Sequence, residues 1–334
     1  MKNEDSKKPS QLVIVPRDSA AESKRARERR FTALYEEALA IEAEDAKKAG
    51  QIGFVAKWMV HATLPYVQPK NNPPAWGRNS GKVSLLIQPG HYMKRVETIV
   101  RGKPKITQEA VSIGYPYGAY PRLILAWIAT EVAKTGDREL VLGNSLSEFM
   151  SNIGRDTVSG GSRGNLTLMR NQMQRLFAAN IAVTSDPDAV AWQTDGFRIV
   201  DNANIEIWWN PHNPDQGSLW QSRLRLTERF HETLSKSPVP VDLRIVKALS
   251  RSAMAIDIYC WLTYRYAIMD KSTKIPWEAL MLQFGSESSP HKFKENFLKN
   301  LKDVKEVYRD AKLDYDKSGI LLLPSRPSVP KRIA

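Results

Sequence analysis

Between Arg163 and Ala179 the sequence places Arg163, Thr167, Arg170, Asn171, Gln174 and Arg175 so that, at about 100° per residue, they gather on one side of a helix. Leu166, Met169, Met173, Leu176 and Phe177 fall on the other side and form the expected core face. Arg, Asn and Gln are the side chains whose paired donors and acceptors match guanine and adenine edges in the major groove, where a good bidentate pair discriminates by about 1–3 kcal/mol. No Asp or Glu occurs between Asp156 and Asp186, so nothing on that polar side would repel phosphate. Ordinary solvent-facing helices mix both signs of charge. This pattern predicts a helix that reads double-stranded nucleic acid.

A second candidate opens at Pro290. Phe293, Phe297, Leu301, Val304 and Tyr308 make an apolar seam, while Lys292, Lys294, Lys299, Lys302 and Lys305 fan across the other side with Glu295, Asp303 and Glu306 among them. Lysine is a point charge that suits phosphate better than base edges. This helix is therefore expected to supply affinity and salt dependence, and the first to supply more of the sequence choice. A third basic cluster, Lys24, Arg25, Arg27, Arg29 and Arg30, ends the stretch 1–30, which reads as a disordered basic tail. A solvated arm and a phosphate-seeking arm are both open readings there.

Other chemistry finds little support. The five histidines, His61, His91, His212, His231 and His291, never form the His-x-His pair with which a rolling-circle nickase holds its metal. Tyr259, Tyr264 and Tyr266 lie in an apolar helix and read as core. The single cysteine, Cys260, sits in the apolar run Ile256 to Leu262 and reads as a buried small hydrophobe. Gly77 to Lys82 looks like a phosphate loop, but its glycines are one residue too close and Val83 stands where a metal-binding Ser or Thr belongs. Trp208 and Trp209 could stack bases, yet in a strand they more often bury. No catalytic residue, metal or cofactor is expected, and the chain is not expected to be an enzyme.

The composition agrees with a polyanionic partner. Lysine and arginine number 49 against 36 aspartates and glutamates, a formal net charge of +13. A membrane partner is not expected, because the apolar stretch Leu123 to Thr130 is closed off by Arg122 and Glu131, far short of a span. Met1 to Ser10 is charged and lacks an apolar core, so no signal peptide is expected, and the cytoplasm is the natural compartment.

The elements that would hold these faces follow in a regular order. A helix over Phe31 to Lys48 shows Phe31, Leu34, Tyr35, Ala38 and Leu39 at helical spacing; partner binding and simple packing are both open for it. Residues 52–116 look strand-rich and irregular, with Val83 to Ile87 a short strand. Pro121 opens a helix ending near Gly136, Arg138 to Leu142 alternates like a strand, and Ser145 with Glu148 has capping-box spacing. The turn Ser159 to Ser162 leads into the Arg163 helix. Strands follow at Ile181 to Thr184, Phe197 to Val200 and Ile205 to Trp209. The layout recurs with helices at Leu243 to Leu249 and Ala253 to Met269, another from Ile275-Pro-Trp277 to Gly285, the Pro290 helix, and a hairpin from Lys312–Tyr315 and Ile320–Leu323. Helix, strand, helix, turn, helix, hairpin is the order of a winged helix-turn-helix. The expected fold class is α+β, mainly helical: tandem winged-helix domains, 31–230 with a strand-rich N-terminal extension and 238–325, flanked by the disordered tail 1–30 and a short basic tail 326–334.

Several segments together resemble the plasmid-encoded RepA replication initiators. They are Tyr115-Pro-Tyr-Gly118, Tyr120-Pro-Arg122, Ala126-Trp127, Thr130-Glu131, Leu142 to Met150, the Gly160-Gly161 turn leading to Met173 to Ala178, and Pro238 to Asp242. The likeness runs over about residues 50–325 and leaves out the N-terminal tail. It implies a tandem winged-helix initiator without catalytic residues. Such a protein binds repeated double-stranded sites at a plasmid origin, helps open neighbouring A·T-rich DNA and recruits the host initiator and helicase. It commonly represses its own promoter as a dimer while monomers serve the origin. A dedicated repressor and an origin-nicking or priming enzyme are the alternatives.

Overall fold

The computed structural model of the chain describes residues 19–81, 83–100, 103–155, 159, 164–184, 196–201, 222–285 and 288–330. Helix α1 (Ser19–Ala43) opens well before Phe31, so the cluster Lys24 to Arg30 stands on a helix and not in a tail. The cause is local: Ala, Glu, Lys and Arg, which make up residues 20–30 apart from Ser23, are strong helix formers. The expected apolar face of this helix divides. Leu34 and Ala38 are buried, while Phe31, Tyr35 and Leu39 stay about half exposed.

Strand β1 (Ile52–Ala56) and the short helix α2 (Lys57–His61) follow, then β2 (Trp76–Ser80) and β3 (Val83–Gln88), and a long ribbon of β4 (His91–Val100) and β5 (Lys103–Ser112). Next come α3 (Ala119–Thr135), β6 (Glu139–Gly143), α4 (Leu146–Asn152), α5 (Asn165–Ala178), β7 (Asn180–Thr184), β8 (Gly196–Arg198) and β9 (Ser222–Arg225). The chain continues through α6 (Glu228–Lys236), β10 (Pro238–Asp242), α7 (Leu243–Ala248) and α8 (Ala253–Ile268). It closes with β11 (Thr273–Pro276), α9 (Trp277–Phe284), α10 (Pro290–Val307), β12 (Leu313–Tyr315) and β13 (Gly319–Leu322). The expected strand Ile205 to Trp209, with Trp208 and Trp209, and the Gly160-Gly161 turn lie outside the described residues.

Local signals explain several boundaries. Ser145 accepts from the Glu148 backbone N–H at 3.1 Å, and the Glu148 carboxylate accepts from the Asn144 N–H at 2.8 Å, so both groups of the capping box are used, the second one residue earlier than the standard pattern. Asp242 and Ser252 cap α7 and α8, and Ser289 with Pro290 opens α10. Gly285 ends α9 at φ 50°, a left-handed position that suits glycine. The glycines that suggest a phosphate loop belong to β2 and its turn into β3, with Ser80 opposite Val83.

The second half keeps the expected order, and β11 joins the hairpin in one sheet, β11-β13-β12. In the first half the order holds but the pairing differs. Strand β6 pairs with β9, while β7 and β8 extend β3 into the sheet β2-β3-β7-β8. The halves also share structure, because β1 pairs antiparallel with β10 from Ile52↔Asp242 to Ala56↔Pro238. One hydrophobic core runs from Leu34 to Leu322. Residues 326–330, expected to begin a tail, are held to the body. Ser328 Oγ lies 2.7 Å from the Tyr259 hydroxyl and 2.8 Å from Thr263 Oγ1, and Val329 is buried. No helix among the described residues is long and apolar enough to cross a membrane.

At the centre of the core lies an ion pair. Arg122 on α3 meets Asp257 on α8 through two bonds, Nε to Oδ1 at 2.7 Å and Nη2 to Oδ2 at 2.8 Å. Its remaining donors reach the carbonyls of Leu64 at 2.6 Å and Gly118 at 2.7 Å, and its guanidinium lies 4.9 Å from the Tyr66 ring centroid. Burial works against the charge, but the Asp257 carboxylate outweighs it and holds the arginine protonated.

Two expectations follow. Asp257→Ala leaves a buried guanidinium unpaired and should cost about 3–5 kcal/mol in urea unfolding, more than the double change Arg122→Met with Asp257→Leu. Equal costs for the single and double variants would show that the pair is not what matters. His61, on α2 and edge-on to Tyr264, has its pKa lowered by burial and by the charges of Lys57 and Arg265. A lowered histidine pKa means that the unfolded chain takes up the proton first. Stability should therefore fall as pH drops below about 6.5, and His61→Gln should flatten that slope in pH-dependent unfolding.

Candidate nucleic-acid interface

Helix α5 is fixed by its apolar side. Leu166, Met169, Met173, Leu176 and Phe177 are each at most 2% exposed, and the helix packs on α3. Its first turn is pinned by a reciprocal pair, Ser159 N–H to Asn165 Oδ1 at 2.7 Å and Asn165 N–H to Ser159 Oγ at 3.1 Å. Gln172 is buried and accepts from the Tyr117 N–H at 2.8 Å.

The expected base-reading side chains separate into two groups. Arg170 and its neighbour Asn171 are exposed, as is Gln174 a turn later, so their amide and guanidinium groups are open to a ligand. Thr167 is half-buried. Arg175 turns back on the protein: its Nη1 donates to Gln68 Oε1 at 2.6 Å and its guanidinium lies 5.2 Å from the Tyr117 ring centroid. Gln68 is 107 residues away in sequence, which is why helical spacing alone leaves Arg175 among the outward group. Arg163 lies outside the described residues.

At the amino end of α5, Asn165 lines a cavity of about 630 Å³ together with Arg29, Arg30, Arg155, Lys247 and Arg251, where Glu37 is the one carboxylate among the described residues. Arg155 is set by Tyr120, whose hydroxyl accepts from it at 3.2 Å and whose ring centroid lies 5.1 Å away. Among the described residues the lining is mostly cationic, although one of its cations, Arg30, is paired with Asp303. These residues come from α1, the segment after α4, α7 and the α7–α8 turn, so no single stretch of sequence announces them.

Helix α10 packs on α8, α1 and α9, and buries Phe293, Phe297, Leu301 and Val304. Lys299, Lys302 and Lys305 are exposed along its outer side. Lys292 is paired with Glu295 at 3.0 Å and holds that carboxyl below its usual range. Lys294 lies 4.9 Å from the Trp277 ring centroid and donates to the Asp316 carbonyl at 3.0 Å, so it is committed to Trp277 and the β12–β13 turn. Arg30 of α1 pairs with Asp303, and Arg309 reaches Glu306 at 3.5 Å. Asp303 and Glu306 thereby gain cations from outside the lysine row, while Glu295 is met by Lys292 within it. Arg30 touches both regions, since it lines the α5 cavity and binds α10.

The family described as plasmid-encoded RepA protein matches residues 115–281, half of the chain. The chain belongs to the RepA family. The RepA span runs from Tyr115 through α3, α5 and α8 and into α9, and contains both Arg122 and Asp257. The β4–β5 ribbon and α10 lie outside it. The curated proteins contain no match. Among solved structures the crystal structure of the RctB domains 2-3 shows a weak likeness, with a TM-score of 0.39 and 10% identity over 77% of this chain and 92% of that one.

If the cavity beside α5 holds phosphate, Lys247→Ala with Arg251→Ala should flatten the slope of log affinity against log salt by about 2 on random-sequence duplex DNA. An unchanged slope in a salt titration would rule the cavity out as a phosphate site.

Proposed function

We propose that this RepA-family chain is a plasmid replication initiator that binds repeated double-stranded sites at the origin. The observation that carries the reading is α5: a helix inside the RepA span, held by a buried apolar side, that presents Arg170, Asn171 and Gln174 outward and contains no carboxylate. Those side chains match base edges, and the exposed lysines of α10 suit phosphate. Each half then acts as a winged-helix module, with α5 and α10 as the two DNA-facing helices. Several bound copies would strain the neighbouring duplex and promote its local opening, and the bound array would recruit the host initiator and helicase.

We further take the chain to be no enzyme. Tyr259 is buried, with its hydroxyl between the Asp242 N–H at 2.7 Å and Ser328, and burial pushes the Tyr266 phenol up to about 12. Neither offers an accessible nucleophile. The two glycines resembling a phosphate loop lie in a strand and its turn, so the energy for opening would come from binding and supercoiling.

The test is a footprint of the purified protein on the DNA flanking its gene, with permanganate to detect opened bases. Regularly spaced protected repeats with reactive thymines beside them are expected; a single operator without opening would make the chain a dedicated repressor. On such a site Arg170→Ala with Asn171→Ala should weaken specific binding by about 10- to 100-fold and leave nonspecific binding nearly unchanged. Equal losses would remove the base-reading role.

A further inference from the structure

We propose that the β4–β5 ribbon is a second DNA arm, which enters the minor groove next to the site held by α5 and bends the duplex by pressing Ile99 against a base step. The proposal rests on the reading of α5 as a DNA-facing helix.

The ribbon is paired along its whole length, from His91↔Ser112 to Val100↔Lys103. Ten residues per strand reach about 30 Å, close to one turn of duplex. Neither strand packs substantially on any other element, and no described side chain of the ribbon is buried. A two-stranded ribbon alone in water is marginally stable, and this one also presents Tyr92, Met93 and Ile106 to solvent. Ile99, at 80%, is the most exposed large apolar side chain among the described residues. Isoleucine cannot read a base edge. It is one of the residues that minor-groove proteins use to part a base step, with lysines and arginines beside it on the phosphates.

The charges fit that partner better than a second copy of the chain. Lys94 and Arg95 are exposed near the ribbon's root, and beyond Glu97 the strands carry Lys103 and Lys105 with no carboxylate before Glu109, which stands opposite Lys94. Cationic strands repel each other at a free edge, and the chain as a whole carries +13.

The root places the ribbon beside α5. The Ile113 N–H donates to the Gly90 carbonyl at 2.8 Å, and a Cβ at Gly90 would lie 2.5 Å from the Ala178 Cβ in the last turn of α5. Only glycine allows that approach. Gly114, just past the ribbon, packs on the Arg175 guanidinium. Duplex lying on α5 therefore passes the ribbon's base.

The test uses the full chain on a duplex carrying its footprinted site, with dyes at the two ends to report bending and hydroxyl-radical cleavage to report minor-groove contact. Ile99→Ala should lose most of the bend while keeping the α5 footprint. Lys94→Gln with Arg95→Gln, which sets no carboxylate opposite Glu109, should erase minor-groove protection on one flank and weaken binding by about tenfold at low salt. Because these side chains are unburied, both variants should fold as the parent does. Unchanged bending and protection in both variants would overturn the arm while leaving the proposed function standing. So would a loss of self-association in sedimentation without DNA, which would assign the ribbon to a second copy. Failure of the parent chain to protect any duplex would overturn both.

Discussion

The buried pair Arg122–Asp257 is the constraint on which the arrangement depends. A guanidinium and a carboxylate taken out of water cost several kcal/mol each unless every donor and lone pair is met. Here the meeting groups come from far apart: Asp257 is 135 residues away, and the Leu64, Pro65 and Gly118 carbonyls line the rest of the guanidinium. Satisfying one arginine therefore requires α3, α8, the segment after α2 and the turn before α3 to be in place together. The consequence reaches the surface. Helix α5 packs on α3 and α10 packs on α8, so each candidate DNA-facing helix rides on one member of the pair. The distance between them is set by a core contact and not by a linker.

That coupling explains which features are legible in the sequence. The apolar seams of α5 and α10 repeat at helical spacing because each helix buries one side in the core, and Ser145 with Glu148 caps α4 by residues three apart. What escapes is whatever depends on distant partners. Arg175 has the spacing of an outward residue, yet Gln68 and Tyr117 draw it in. Helix α6 is short and strongly polar, and buries only Phe230 and Leu234. The ribbon shows no clean alternation because neither of its faces meets a core, so the pattern that reveals strands has no cause there. Residues 326–330 look like a basic tail until Ser328 meets Tyr259 and Thr263.

Charges divide in the same way. A count of lysines and arginines gives the overall sign, but only those without a committed partner can bind a polyanion strongly. Arg122, Arg244 and Arg175 serve the protein: the first fills the core, the second meets Asp242 at 2.7 Å beside the cap of α7, and the third steadies α5. Arg30 and Arg309 serve indirectly, since they meet Asp303, Glu306 and Glu42 and keep carboxylates from opposing the α10 lysines. Helix α1 thus changes the meaning of the sequence cluster 24–30. Its described arginines act from a packed helix, where their position is fixed before any ligand arrives, and the ordering cost that a disordered arm would bear on binding is already met.

The same division gives α5 an unusual setting. A helix of 14 residues is about 21 Å long, comparable to six base pairs of duplex. One end opens on the cavity lined by Arg155, Lys247 and Arg251, and the other abuts the root of the ribbon at Gly90. A duplex seated on Arg170, Asn171 and Gln174 would meet cations before and after the bases those residues touch. Phosphate contacts at both ends fix register along the groove, and register is what allows three short polar side chains to choose a sequence. Without the flanking contacts the same three residues would sit on a helix free to slide along the groove, and their hydrogen bonds would be spread over many alignments.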